Sequence, residues 1–358
     1  TYRLYCTLNK RIKFIMAYTT IPKSTAYFSP EIYTGNGSSK TISTLNFQPD
    51  WVWIKNRATT DMNVLFDSLR GATKRIASDS TAAEATEAQD LTAFNTNGFT
   101  VGTSGAVNTN SVSYASWNWK ANGAGSTNTV GSITSTVSVN TTSGFSMVRW
   151  AGSGSLATIG HGLGVVPKMI ICKSVDTGGW GIYHEATGNG RGLFLNIDGV
   201  GGTDVAYWNN TSPTSSVFTV NFDGGTNREG GNTMMAYCFA DVPGFSKIGS
   251  YTGNGNADGT FNYTGFKPAW VMIKNLTSAG SNWRIFDNQR LGYNVNNATL
   301  YPNLSNAEAD ETSLDLLSNG FKMRGTTNDL NGNGQTYAYI ALASEPLVST
   351  NGNAATAR

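Results

Sequence analysis

The chain has 358 residues, 39% hydrophobic and 11% aromatic, which suits two or three domains with sizeable cores. Charged residues make up only 13% and the net charge is +2 with no Lys/Arg-rich block, so nucleic acid is not an implied partner. No apolar run reaches the ~18 residues that a membrane-spanning helix needs.

Residues 1–26 read as an N-terminal arm. Its first part, "TYRLYCTLNKRIKFI", is basic but lacks the apolar centre of a signal peptide. The segment "MAYTTIPKSTAYF" from Met16 reads as a natural start, so residues 1–15 are either translated upstream sequence or a genuine basic arm. Beyond residue 27 the chain falls into short runs rich in Val, Ile, Phe, Tyr and Trp, separated by Gly/Asn/Ser turns. This is the pattern of an antiparallel sandwich or jelly roll.

The first such unit, residues 27–122, contains "YTGNG" (Tyr33–Gly37) and "FQPDWVWIKN" (Phe47–Asn56). In "DWVWIKN", alternation puts Trp51, Trp53 and Lys55 on one face and Val52 and Ile54 on the other. Large groups on both faces suit a strand covered on both sides. "TAAEATEAQDLTAF" follows Thr81, with Glu84 three residues on, a capping-box spacing that predicts a short helix. Residues 123–142 read as a linker and lead-in strand.

The second unit, residues 143–242, is the most diverged. "VVPKMIICKS" (Val165–Ser174) stands in place of the Pro-x-Trp-Val phrase, "WGIYHE" (Trp180–Glu185) follows, and "NNTSPTSSVF" carries no helical signal. The third unit, residues 243–347, repeats "YTGNG" at Tyr251–Gly255 and "FKPAWVMIKN" at Phe266–Asn275. "NAEADETSLDLL" after Ser305, with Glu308 three residues on, predicts a second short helix. Residues 348–358 form a tail. Because the echoes occur in the same order, they indicate domain duplication. Pro49, Pro167 and Pro268 lie 118 and 101 residues apart, the size of a small domain rather than a solenoid repeat. The expected fold is therefore all-β: three tandem antiparallel sandwich (jelly-roll-like) domains with one or two short helices.

The echoes also align Lys55 with Lys173 and Lys274, and Asp67 with His184 and Asp287. A hairpin turning at Gly178–Gly179 would set each Lys opposite its partner across two strands, a contribution of roughly 0.2–1 kcal/mol.

As a set, "MAYTTIPKSTAYF", "YTGNG…FQPDWVWIKNR", "HGLGVVPKMIICKS", "AYCFADVPGFSKIGSYTGNG" and "TGFKPAWVMIKN…NGFKMRG" resemble a family of repeat proteins of marine bacteriophages, including phages of cyanobacteria. The likeness runs from Met16 to about Val348, and the basic stretch before Met16 departs from it. It implies a virion structural protein of the tail-fibre or appendage type and brings no catalytic residues.

Little in the sequence points to catalysis. Cys6, Cys172 and Cys238 form neither a disulfide framework nor a zinc motif, and the latter two lie in strand-like "MIICKS" and "MAYCFA". His161 in "GHGLG" and His184 in "IYHEA" have no i, i+4 partner. Glycine-rich stretches such as "GNGNADG" lack P-loop context and read as turns, and Asp258, Asp310 and Asp329 lack EF-hand spacing. No carboxylate pair or nucleophile elbow is recognisable. No enzyme, cofactor or metal is expected.

Nine Trp and fifteen Tyr exceed the needs of three small cores. They either stack on sugar rings or pack between repeats or subunits. If a binding site exists, the divergence and loops of the middle unit place it there, with Trp180, His184, Tyr207, Trp208, Asn209 and Asn210 as its residues. The sequence reading is thus a non-enzymatic virion component (fibre, spike or head decoration) contacting other virion proteins. By analogy with phage appendages it would be a homo-oligomer such as a trimer. The alternative is an adhesin for a host surface glycan. Neither reading involves nucleic acid or membrane.

Overall fold

The computed structural model describes residues 19–290, 294 and 296–346. Cys6, the segment before Met16 and the tail at 348–358 lie outside the described residues.

The chain is nearly all β. Each repeat is built on four antiparallel strands in one spatial order: opening, closing, central, hairpin. In the first repeat these are Phe28–Thr34, Ser113–Trp119, Trp51–Asn56 and Asn63–Asp67. In the second they are Phe145–Ala151, Thr233–Phe239, Met169–Ser174 and Trp180–His184. In the third they are Ser246–Thr252, Thr336–Pro346, Phe266–Asn275 and Arg284–Asp287. A smaller sheet accompanies each main one. It comprises Lys40–Ile42, Gly98–Val101 and Leu91–Asn95 in the first repeat, and Ala157–Gly160 with Val217–Val220 in the second. In the third it comprises Phe261–Tyr263, Gly320–Met323, Ala309–Leu317 and Asn296–Thr299.

The period-2 alternation of the central strands decides what lies on either side. Val52 and Ile54 face the first repeat's own core with Val64, Phe66 and Phe99, while Trp51 and Trp53 face the opposite way. Ile170 and Cys172 likewise fill the second repeat's own core, and Met169 and Ile171 face away from it. The outward faces of the repeats meet in one shared core. There Trp51 stacks on Tyr237 at 4.3 Å and 16°, and Trp119 meets Trp270 edge-on at 5.6 Å. Aromatic pairs of this kind contribute about 0.5–1.5 kcal/mol beyond their buried area. The surplus of tryptophan in the sequence is thus consumed between repeats.

The repeated "YTGNG" holds a loop rather than a ligand. Asn108 donates its amide to the carbonyls of Ser38 and Gly102, and its Oδ1 accepts the Asn36 N–H at 2.9 Å. Asn227 does the same for Ser153 and Ser155, and Asn331 for Asn254 and Asn256. A Cβ on Gly35, Gly152 or Gly253 would lie 2.0–2.4 Å from a backbone oxygen of the facing loop, so only glycine fits.

Neither predicted helix forms, and strands and turns take their place. Ala85–Thr86 pairs with Lys74–Arg75, and Leu91–Asn95 forms a hairpin with Gly98–Val101. Residues 309–317 pair with 320–323 and 296–299, burying Leu314 and Leu316 at a period of two. The glutamates read as capping residues are used elsewhere: Glu84 pairs with Arg70 and Lys74, and Glu308 with Arg57 and Arg290. Tertiary pairing overrides the local capping signal. The two α-helices among the described residues, Gly105–Asn108 and Val205–Trp208, are single turns. The second lies in the middle repeat, where no helix was expected, and is capped by Asp204 accepting the Ala206 N–H at 2.8 Å.

Candidate functional site

The side chains singled out by the echoes gather at three seams between repeats. The last residue of each hairpin strand meets the following repeat. Tyr237 donates its hydroxyl to Asp67 at 2.7 Å, Trp117 its indole N–H to Asp287 at 2.9 Å, and His184 Nε2 lies 3.2 Å from the Tyr339 carbonyl. The residue at or just before the start of each hairpin strand meets the preceding repeat. Asn63 donates to the Tyr301 and Leu304 carbonyls, Trp180 to Ala77 and Ser80, and Trp283 to Phe194. Repeat one therefore touches two, two touches three, and three touches one. A head-to-tail contact whose rotation closes makes a ring, and here the ring closes within one chain.

Two of these seam carboxylates carry a guanidinium three residues on. Arg70 reaches Asp67 at 2.6 Å and Arg290 reaches Asp287 at 2.7 Å, each pair with almost no solvent exposure. The middle repeat differs. The sheet register aligns Trp117 and Tyr237 with Ile340, which has no hydrogen to donate. A buried aspartate facing Ile340 would lack a donor, a costly arrangement. His184 stands there instead, turning Nε2 to a backbone carbonyl and accepting the Ala186 N–H on Nδ1 at 3.1 Å. Burial lowers its pKa to about 4, so the ring is neutral.

The three repeated lysines anchor the hairpin loops. Lys55, Lys173 and Lys274 are fully buried and donate to the carbonyls of Asp61, Gly178 and Ser281, each two residues before Asn63, Trp180 or Trp283. Lys55 also reaches Ser305 of the third repeat and Lys274 reaches Asp198 of the second, both at 2.8 Å. Burial lowers all three ammonium groups to about 8.

The expected Lys–Asp cross-strand pairs are not formed. Lys55 lies opposite Asn63 and Asp67 opposite Trp51. Lys173 lies opposite Trp180 and His184 opposite Met169. Asp287 lies opposite Trp270, and Lys274 is beyond the last pair, Ile273 with Arg284. The second hairpin turns near Asp176 and Thr177 rather than at Gly178–Gly179. Each lysine and its expected partner therefore occupy opposite ends of the strand pair.

Of the six expected binding residues, Trp180, His184 and Trp208 are buried, Tyr207 and Asn209 are half-buried and Asn210 is exposed. Trp180 is buried at the seam with the first repeat and His184 at the seam with the third. Trp208 is buried in the middle repeat's own core, edge-on to Tyr183 at 5.8 Å. Tyr207 packs on Phe194, and Asn209 and Asn210 take left-handed backbone angles as the short helix ends. Stacking on a sugar needs an accessible ring face, which neither tryptophan offers. His161 is also buried, with Nδ1 accepting the Leu163 N–H and Nε2 facing the Thr214 carbonyl. Cys172 and Cys238 are buried free thiols, and burial raises both well above the ordinary range for a thiol.

Sequence reasoning missed the Arg57–Glu308 pair, a two-pronged contact at 2.9 and 2.8 Å that closes the third seam. Burial alone would raise the Glu308 pKa, but the Arg57 and Arg290 guanidinium groups hold it below the usual carboxylate range. The available signal was that the arginine of "IKNR" occurs in one repeat only, where the others carry Val175 and Leu276. Among the described residues, no group of three or more His, Cys, Asp or Glu could hold a metal ion, and no helix is long and apolar enough to cross a membrane.

No curated protein matches the chain. A family profile spans residues 23–346, and so covers all three repeats as one unit. The chain belongs to the family described as Domain of unknown function (DUF7483).

Proposed function

We propose that this protein is a non-enzymatic structural component of a bacteriophage particle, a fibre, spike or head decoration that works through surface contact. The observation that carries the reading is the ring itself. The side chains with chemical potential (three lysines, Asp67, Asp287, both histidines and two thiols) are buried, and the charged and imidazole groups among them are committed to holding repeats or loops in place. A frame of this kind presents the outer faces of three sandwiches in fixed relation. Other particle proteins, or further copies of this chain, would dock on those faces. The resemblance to repeat proteins of marine phages supplies the particle context. Cryo-electron microscopy of the purified virion tests it: three-lobed density matching the ring on head, tail or fibre is expected. A particle lacking the chain altogether, from a host that expresses it, would overturn the reading.

A further inference from the structure

The middle repeat's main sheet extends beyond its opening strand, which in the other two repeats is an edge. The middle repeat's main sheet carries two more strands, Ser126–Asn128 and Ser135–Asn140, outside its opening strand. The register places Thr127 beside Thr136, Thr136 beside Arg149, Arg149 beside Met235, Met235 beside Lys173 and Lys173 beside Trp180. Paired residues share a sheet face, so one row runs from the buried seam out to solvent. Trp180 and Met235 are covered by the shared core, whereas Arg149 and Thr127 are exposed.

Two adjoining hollows of about 300 and 180 Å³ share Arg149 and Thr233. The larger lies along the threonine row, and the smaller reaches Arg70, Lys74 and Glu84 of the first repeat. The charges there are unequally committed. Arg70 is held by Asp67 and Glu84, Lys74 lies 3.6 Å from Glu84, and Asp176 accepts the Thr233 N–H. Arg149 forms no ion pair among the described residues. Its guanidinium has Thr136 beside it at the strand spacing of about 4.8 Å, and Thr127 and Thr233 line the same hollow.

We propose that this cleft binds an acidic saccharide, with a sugar carboxylate on Arg149 and sugar hydroxyls on Thr127, Thr136 and Thr233. The chemistry selects this class. A guanidinium pairs with a carboxylate through two parallel hydrogen bonds. Threonine hydroxyls donate and accept, as sugar hydroxyls do. A single free cation suits one carboxylate rather than the repeated charge of a nucleic acid, which needs several neutralising side chains. The proposal goes beyond the structural role and does not depend on it.

The test is titration calorimetry on the full chain with galacturonate trisaccharide, galactose trisaccharide and inorganic phosphate. The expected result is binding of the uronate, with the neutral sugar and phosphate each at least about tenfold weaker, the effect of losing a charged hydrogen bond or its polar neighbours. Arg149→Gln should weaken uronate binding about tenfold or more with an unchanged melting temperature, since Arg149 is exposed. Thr136→Val should weaken it less. The uronate should also raise the melting temperature of the unmodified protein. Absence of uronate binding, equal affinity for uronate and either control, or unaltered binding by Arg149→Gln would each overturn the proposal.

Discussion

Tyr237 of the second repeat donates its hydroxyl to Asp67 of the first at 2.7 Å, both side chains shut away from water. The bond joins positions 170 residues apart and is the counterpart of Trp117 with Asp287 at the third seam. Buried polar groups of this kind are costly when left unpaired and stabilising when satisfied.

Tyr237→Phe should therefore destabilise the protein by about 1.5–3 kcal/mol, the range for a hydrogen bond to a charged group. Urea denaturation measures it. A change below about 0.5 kcal/mol would mean that Arg70 alone satisfies Asp67.

His184 stands in place of aspartate because Ile340 offers no side-chain donor there. His184→Asp should then cost on the order of 3–5 kcal/mol, the cost of an uncompensated buried charge. Adding Ile340→Tyr should return part of it, because a donor then faces the new carboxylate. A double-mutant cycle gives the coupling. Additive effects with no recovery would show that the two positions do not communicate.

His184 also sets an acid limit. Its folded pKa of about 4 lies below the unfolded value of about 6.5. Between these values the unfolded chain binds the proton and the folded chain does not. The stability is complete above about pH 6.5 and falls as pH drops toward 4, by about 3 kcal/mol in total from the 1.36 kcal/mol per unit of linkage. His184→Gln should flatten this part of the stability–pH curve. An unchanged slope in that variant would assign the acid loss to other groups.

The buried lysines predict the opposite end of the curve. Their folded pKa of about 8 lies below the unfolded 10.5, so the unfolded chain binds more protons between these values and stability rises with pH. Tyr33, Tyr237 and Tyr251 are pushed up by burial, so unfolded tyrosines ionise first and stability falls above about pH 10. Denaturation midpoints across pH 7–11 should peak near 9–10, and Lys173→Met should reduce the rise below the peak. A monotonic fall from pH 8 would contradict the burial of these lysines.

The repeated phrases by themselves determined the all-β class and the two-faced burial of the central strands, because a period of two in Trp51, Val52, Trp53 and Ile54 has only one geometric meaning. They also marked Lys55, Asp67, Trp180 and His184 as members of recurring positions. What those residues touch was decided by tertiary structure alone. Asp67 meets Tyr237, Trp180 meets Ala77 and His184 meets Tyr339, partners 100 or more residues away that no local pattern announces. The same distance effect undid the two helices. The glutamates placed at capping-box spacing find guanidinium partners in the turns that follow other strands, and these ion pairs and the strand ladders outweigh the cap. A local signal holds only where nothing distant competes for the same atoms, and in a ring of three packed sandwiches the hairpin strands and their flanks are all contested by a neighbour.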